Sequence, residues 1–282
     1  MNNEFSVSMC VYGGDNSDYF DVALKSVINQ SLQPNEIVLT VDGPIPTETE
    51  NVISKYQDKL SSSSIDFKII RLEKNMGHGE ARRICFDNCS YPIIALMDAD
   101  DISVYERFKK QIEFYDKHPS VSVVGGIISE FVSQSDPNDV SIKAGNRIVP
   151  ENDVEIKEYM KKRCPMNQVT VMFKKEDVNS VGGYIDWYCE EDYYLWIRLA
   201  LAEKTFGNIP ENLVNVRVGN EMYQRRGGWK YFKSEARIQK YMKDNKLIGL
   251  VRYAINVSER FVLQVLMPNK LRSLVFQNLA RS

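Results

Sequence analysis

The sequence predicts an α/β fold built around a mostly parallel sheet, and three observations carry that prediction. Short, near-continuous apolar runs alternate with segments whose apolar residues recur at helical spacing. The apolar runs lack the polar alternation of a half-exposed strand, so helices must cover both faces of their sheet. Three of the runs also stop at residues suited to chemistry, and such sheets bind ligands beyond the carboxyl ends of their strands.

Phe5–Tyr12 (FSVSMCVY) is apolar and rich in strand formers, and it stops at the turn cluster Gly13-Gly14-Asp15-Asn16. Tyr19–Ser31 places Phe20, Ala23, Leu24, Val27 and Ile28 at helical spacing and ends before Pro34. Glu36–Val41 (EIVLTV) is a second buried-type strand, closed by Asp42-Gly43-Pro44. A helix over Thr47–Leu60, a polar loop at Ser61–Ser64 and a strand over Phe67–Leu72 follow. Gly79–Cys89 is a third helix, and Pro92–Met97 (PIIALM) a fourth strand that runs straight into Asp98-Ala99-Asp100-Asp101. Further on, a helix is expected near Tyr105–His118, a strand over Val169–Phe173 and a helix over Asp192–Ala202.

With 282 residues, 43% hydrophobic and 26% charged, the chain is globular rather than disordered, and its length suits one large domain or two small ones. A net charge of −2 gives no global basic excess, and no nucleic-acid partner is expected. The charge is unevenly spread. From Arg217 onward there are 14 Lys and Arg against 4 Asp and Glu, which leaves 1–216 at −12 and suggests an anionic partner for the tail. Five cysteines without a CxxC pair read as reduced thiols of a cytosolic protein. The opening Met-Asn-Asn-Glu has no signal-peptide character, and no run of about 20 apolar residues is present to span a membrane.

Asp98-Ala99-Asp100-Asp101 holds three carboxylates within four residues, which repel one another unless a cation is present. Oxygen-only ligands fit Mg²⁺ or Mn²⁺. The competing role is a helix N-cap by Asp100 or Asp101, but capping needs one carboxylate and not three.

These motifs resemble an inverting glycosyltransferase of family 2, with the GT-A fold. The resemblance rests on a strand ending in Tyr12, a second ending in Asp42, the NxGxxxAR segment Asn75–Arg82, the DxDD run at Asp98, and Gly182-Gly183-Tyr184 with Glu191-Asp192-Tyr193-Tyr194-Leu195-Trp196. It covers about residues 5–200 in the expected order, and the tail resembles the subset that builds bacterial O-antigen and exopolysaccharide repeat units, including amylovoran-type galactosyltransferases.

The resemblance implies a UDP-hexose donor, galactose or glucose, and a metal-dependent transfer to an N-acetylhexosamine on undecaprenyl diphosphate. Tyr12 would stack on uracil, and Asp42 would accept from its N3–H. Asn75, Gly77 and Arg82 would line the nucleotide, with Arg82 or its rival Arg83 reaching the diphosphate as a fork. Asp100 would be the principal metal ligand, with Asp98 on ribose or metal and Asp101 as neighbour or second ligand. Asp192 would act as general base, and Glu191, Trp187 and Trp196 would stand on the acceptor side. The competing roles are plain: Tyr12 as an ordinary strand-end aromatic, Asp42 as a turn residue, Glu191 and Asp192 as a helix-start pair, and both tryptophans as core. Relatives often carry His where Gln168 stands, and another near the end of the catalytic domain. This chain has only His78 and His118, so Arg217, Arg225 or Arg226 is expected to face the leaving diphosphate.

The expected organisation is a catalytic domain over 1–216, split into a nucleotide-sugar half (1–101) and an acceptor half (102–216), with a basic amphipathic tail over 217–282. Leu247–Met267 is a helical pattern with a narrow polar stripe (Arg252, Asn256, Glu259, Arg260, Gln264), and Leu271–Arg281 resumes it after Pro268. A wide apolar face with flanking cations suits an anionic membrane surface, here the cytoplasmic face of a bacterial inner membrane. Two other functions answer to parts of the pattern. A sugar nucleotidyltransferase would want a Gly-rich phosphate loop, for which Gly13-Gly14 is a poor substitute. A non-catalytic carbohydrate- or membrane-binding scaffold would tolerate loss of Asp100 and Asp192.

Overall fold

The computed structural model describes residues 4–134, 136–219 and 227–267. Strand β1 (Phe5–Tyr12) pairs in parallel with β2 (Glu36–Asp42) and with β4 (Ile93–Met97), and β2 pairs in parallel with β3 (Asp66–Arg71). Helices α1 (Ser17–Ile28), α2 (Thr47–Leu60) and α3 (His78–Asn88) make the connections. The second half adds β5 (Ile102–Ser103), α4 (Arg107–Lys117), β6 (Val123–Phe131), β7 (Lys143–Arg147), α5 (Asp153–Met160), β8 (Met172–Lys174), α6 (Lys175–Ser180), α7 (Glu191–Leu201) and β9 (Phe206–Arg217). Helices α8 (Trp229–Asp244) and α9 (Leu250–Phe261) follow, and a π turn over Val262–Leu266 prolongs α9.

The strand order is β3-β2-β1-β4-β8-β6-β9-β5, with β7 on β6. The first four strands are parallel as expected. Antiparallel pairs enter through β8, which joins β4 to β6, while β6 and β9 are again parallel. The register places the functional ends together. Tyr12 lies opposite Asp42, and Met9 opposite Met97, so Tyr12, Asp42 and the acids after β4 share one edge of the sheet.

Each strand divides its side chains between two cores. Phe5, Val7, Met9 and Val11 of β1, with Ile93, Ala95 and Met97 of β4, pack against α1, α2 and α4. Val38 of β2, with Ile94 and Leu96 of β4, meets the other core, built on α3, α5, α7 and α8. This two-sided burial is why the strands read as continuous apolar runs.

Three local expectations are corrected. The helix expected near Tyr105 starts at Arg107 with Glu106 at the N-cap position, so neither Asp100 nor Asp101 caps it. The expected strand Val169–Phe173 is a 3₁₀ turn over Gln168–Thr170 followed by β8, because the Thr170 hydroxyl closes the turn on the Asn167 carbonyl. The expected helix from Leu247 starts at Leu250, because Gly249 takes an extended cap conformation while Ile248 is buried in the core.

Candidate active site

The nucleotide end begins at Tyr12, where β1 turns. The Asp15 carboxylate accepts from the Tyr12 N–H at 2.9 Å. The phenol lies folded over Gly14, where a Cβ would come within 2.6 Å of the ring, and it stays 40% exposed at the edge of the sheet. Asp42 is buried, and its Oδ1 and Oδ2 accept from the Met76 and Gly77 amides at 2.6 and 3.1 Å. Asn75 closes the same loop, its Oδ1 accepting from the Gly77 N–H at 3.1 Å. Asp42 therefore holds the Asn75–Gly77 loop as well as facing the edge, a role its strand-end position did not reveal. Gly43 makes this possible, with φ +85° and a hypothetical Cβ only 2.5 Å from the Asn75 nitrogen. Gly43→Ala is expected to cost about 1–3 kcal/mol in thermal or urea unfolding, through backbone strain and a displaced loop. An unchanged melting point would exclude that strain.

Arg82 of α3 is the hub. Its Nη2 donates to Asp98 Oδ1 at 2.5 Å, and its Nε donates to His78 Nε2 one turn back. Burial opposes its charge, but Asp98 and then Glu191 more than offset burial and hold it protonated. Asp98 and His78 thus anchor the guanidinium through Nη2 and Nε. Arg83 pairs instead with Glu80 and Asp87 along its own helix.

The acids after β4 differ in setting. Asp100 is pushed up to about 6, first by burial and then by the charges of Asp98 and Asp15. Asp101 is raised well above the usual carboxylate range, by burial and then by Asp100 and Asp98, although its Oδ1 accepts from the Arg217 N–H at 2.8 Å. Arg217, at the end of β9, also donates from Nε to the Asp100 carbonyl at 3.0 Å and lies 3.7 Å over the Tyr19 ring. Beneath the cluster Arg107 is fully buried and donates to the Leu96 carbonyl at 2.7 Å. Burial brings it down to about 9, and Asp98 and Asp101 partly offset that. Among the described residues no group of three or more His, Cys, Asp or Glu is placed to hold a metal ion by itself. The donor chemistry nonetheless fits a hard cation, since Mg²⁺ and Mn²⁺ keep waters and take one or two carboxylates beside substrate phosphates.

The second acid group opens α7. Glu191 is buried and pushed up to about 7, first by burial and then by Asp192, with Arg82 pulling the other way. Asp98 also acts on it, so both acid runs lie within electrostatic reach of Arg82. Asp192 Oδ2 lies 3.8 Å from the Cys164 thiol, and Asp192 Oδ1 accepts from the Tyr193 N–H at 2.6 Å. Tyr184, from the Gly-Gly-Tyr run, feels Arg82, Asp192 and Glu191, with Gln168 beside it. Because Glu191 binds its proton more tightly when folded, stability should fall as pH rises from about 4.5 to about 7 and then level off. Thermal melts across that range should show the fall, and Glu191→Gln should make it shallower. An identical pH dependence in the variant would overturn this assignment.

Both tryptophans proposed for the acceptor side are corrected. Trp196 has no exposed surface and packs on Phe173 in the core. Trp187 is buried between Tyr194 and the Arg237 guanidinium, 4.3 and 4.2 Å away, with its indole N–H on the Ser234 carbonyl. Neither offers a face to a sugar. Arg225 and Arg226 lie outside the described residues. His78, Arg107 and Cys164 were given no role in the site from sequence; Arg107 and Cys164 matter through residues well removed along the chain, and His78 through Arg82 one turn on. A crevice of about 20 Å³ at this edge is lined by Cys10, His78, Arg82 and Asp98. A shallower one of about 420 Å³ lies at the turn between α2 and β3, away from the acids.

The model of the family described as Glycosyl transferase family 2 matches residues 6–175. The chain belongs to that family. This family 2 glycosyltransferase is 32% identical over 279 residues to the UDP-Gal:alpha-D-GlcNAc-diphosphoundecaprenol beta-1,3-galactosyltransferase of Escherichia coli, covering 99% of this chain and 97% of that one. It is 31% identical over 273 residues to the Amylovoran biosynthesis glycosyltransferase AmsE of Erwinia amylovora, covering 97% and 98%. Among solved structures, the mannosyltransferase PcManGT from Pyrobaculum calidifontis, in complex with GDP-Man and Mn²⁺, matches with a TM-score of 0.63 at 13% identity, over 98% of this chain and 73% of that one. The likeness is one of fold, and the fold is GT-A, as the motifs implied. Glycosyl transfer replaces the nucleotidyltransferase and scaffold alternatives. Among the described residues no helix is long and apolar enough to cross a membrane.

Proposed function

We propose that this glycosyltransferase moves galactose or glucose from a UDP-sugar to an N-acetylhexosamine carried on a diphospholipid, with inversion at the anomeric carbon. The observation that carries the reading is that Asp98 and Glu191 both lie within electrostatic reach of Arg82, which draws the two acid runs towards one site. The relatives' printed names support the donor and the lipid-diphosphate acceptor.

Tyr12 would stack on the uracil, and Asp42 keeps lone pairs for its N3–H beyond those that hold the loop. Asn75 and Gly77 would form the wall beside the nucleotide. Asp100 with Asp98 would hold Mn²⁺ or Mg²⁺, which would supply positive charge against the leaving diphosphate. Asp101, buried and bonded to the Arg217 amide, would position that pair rather than ligate. Asp192 takes the proton of the acceptor hydroxyl as its oxygen bonds to the anomeric carbon and the bond to the diphosphate breaks, releasing UDP. Arg217, and from the sequence Arg225 and Arg226, would face the departing phosphates. The basic tail would hold the enzyme at the membrane that carries the acceptor.

A donor screen tests this reading. UDP-galactose, UDP-glucose and their N-acetyl forms are offered with a GlcNAc-diphospholipid, with Mn²⁺, with Mg²⁺ and with a chelator. UDP release above the rate of water hydrolysis is expected with one of the unacetylated donors. No release with any donor would sink the proposal.

A further inference from the structure

Helix α9 is inverted relative to an ordinary surface helix. Three of its polar residues, Asn256, Arg260 and Gln264, are buried and point into the protein, while Arg252, Ser258 and Glu259 stay exposed. Asn256 Nδ2 donates to the Lys161 carbonyl and to Gln239, both at 2.8 Å. Arg260 donates to the Lys162 carbonyl at 2.6 Å and pairs with Glu235 at 2.8 Å, and Gln264 reaches the same Glu235. The apolar residues Leu250, Val251, Ile255, Val262 and Leu266 face outward, 49–74% exposed. Four of them lie near one line, at i, i+4, i+11 and i+15. A helix that satisfies its polar groups inward and leaves aliphatic side chains outward is arranged for an apolar neighbour.

The charges nearby say which neighbour. On α8, Lys230, Lys233, Arg237 and Lys240 recur at i, i+3, i+7 and i+10 and are all exposed. Over 227–267 there are eight Lys and Arg against three Asp and Glu. At the open end of the α8–α9 hairpin, Trp229, Phe232 and Phe261 cluster with ring centroids 5.5–5.8 Å apart, and Trp229 is 57% exposed. We propose that the outer stripe of α9, with Trp229, lies in an anionic bilayer surface, its aliphatic groups at the acyl boundary, with the exposed Arg252 and the basic excess of the hairpin favouring anionic headgroups. The proposal rests on the lipid-linked acceptor and assigns the face that meets the lipid.

Flotation on vesicles of phosphatidylethanolamine with phosphatidylglycerol, compared with phosphatidylcholine alone, tests it. The unaltered chain should float with the anionic vesicles, and Trp229 emission should shift to the blue, since Trp187 and Trp196 are already buried. Val251→Ser, Ile255→Ser, Val262→Ser and Leu266→Ser together should lower partitioning by about a hundredfold. UDP release with a detergent-dispersed acceptor should stay unchanged, which also reports that the variant folds. Flotation of the variant equal to that of the unaltered chain, or no shift of Trp229 on vesicles, would overturn the assigned face and leave membrane binding elsewhere on the tail intact. Conversion of a dimer into a monomer in sedimentation, with flotation unchanged, would identify a second copy as the occupant and overturn the proposal. Failure of the unaltered chain to float on any vesicle removes membrane attachment itself, while glycosyl transfer is still scored by UDP release.

Discussion

Asp192→Asn is expected to lower kcat by about a thousandfold while the Kd for the UDP-sugar changes little, the pattern of a lost general base. Asparagine keeps the shape of the side chain and removes its affinity for a proton. The neighbour provides the control. Glu191 is buried beside Arg82, whereas Asp192 is half-buried and meets Cys164, so Glu191→Gln should disturb pH dependence more than the maximal rate. Single-turnover transfer and isothermal titration with donor separate the two effects. An Asp192→Asn enzyme retaining a tenth or more of its rate, with Glu191→Gln inactive at every pH, would move the base to Glu191.

Arg82→Met should damage both stability and turnover. Removing one partner of a buried ion pair costs about 3–5 kcal/mol when the remaining charge is fully enclosed. Asp98 keeps 35% of its side chain exposed, so about 2–3 kcal/mol is the expected loss on urea unfolding. Turnover should fall by about a hundredfold or more, because Asp98 loses its anchor and Glu191 the cation that eases its ionisation. Arg82→Lys restores the charge but cannot reach His78 and Asp98 with one planar fork, so rescue should be partial. Full activity in Arg82→Met would show that the shared reach of the two acid runs to Arg82 is incidental.

The parallel half was legible because its strands are buried on both sides, and an apolar run closed by Tyr12, Asp42 or Asp98 is hard to read otherwise. The strand ends expected to form the site do share one edge, since register carries them there. Partners were not legible. Nothing local to Arg82 says that its guanidinium belongs to Asp98, and nothing local to Trp196 says that its indole is sealed behind Phe173. The periodicity of the tail marked a polar stripe and an apolar one, but it could not tell which faces the protein. Only the carbonyls of Lys161 and Lys162, waiting for Asn256 and Arg260, decide that.

Those two carbonyls stand just ahead of Cys164, whose thiol lies beside Asp192. The same short stretch thus moors the C-terminal hairpin at one end and touches the proposed proton acceptor at the other. With the hairpin seated on a bilayer as proposed, residues 161–164 would act as a ruler between that plane and the reacting hydroxyl, and lengthening the span is expected to shift which sugar of a tethered glycan comes within reach.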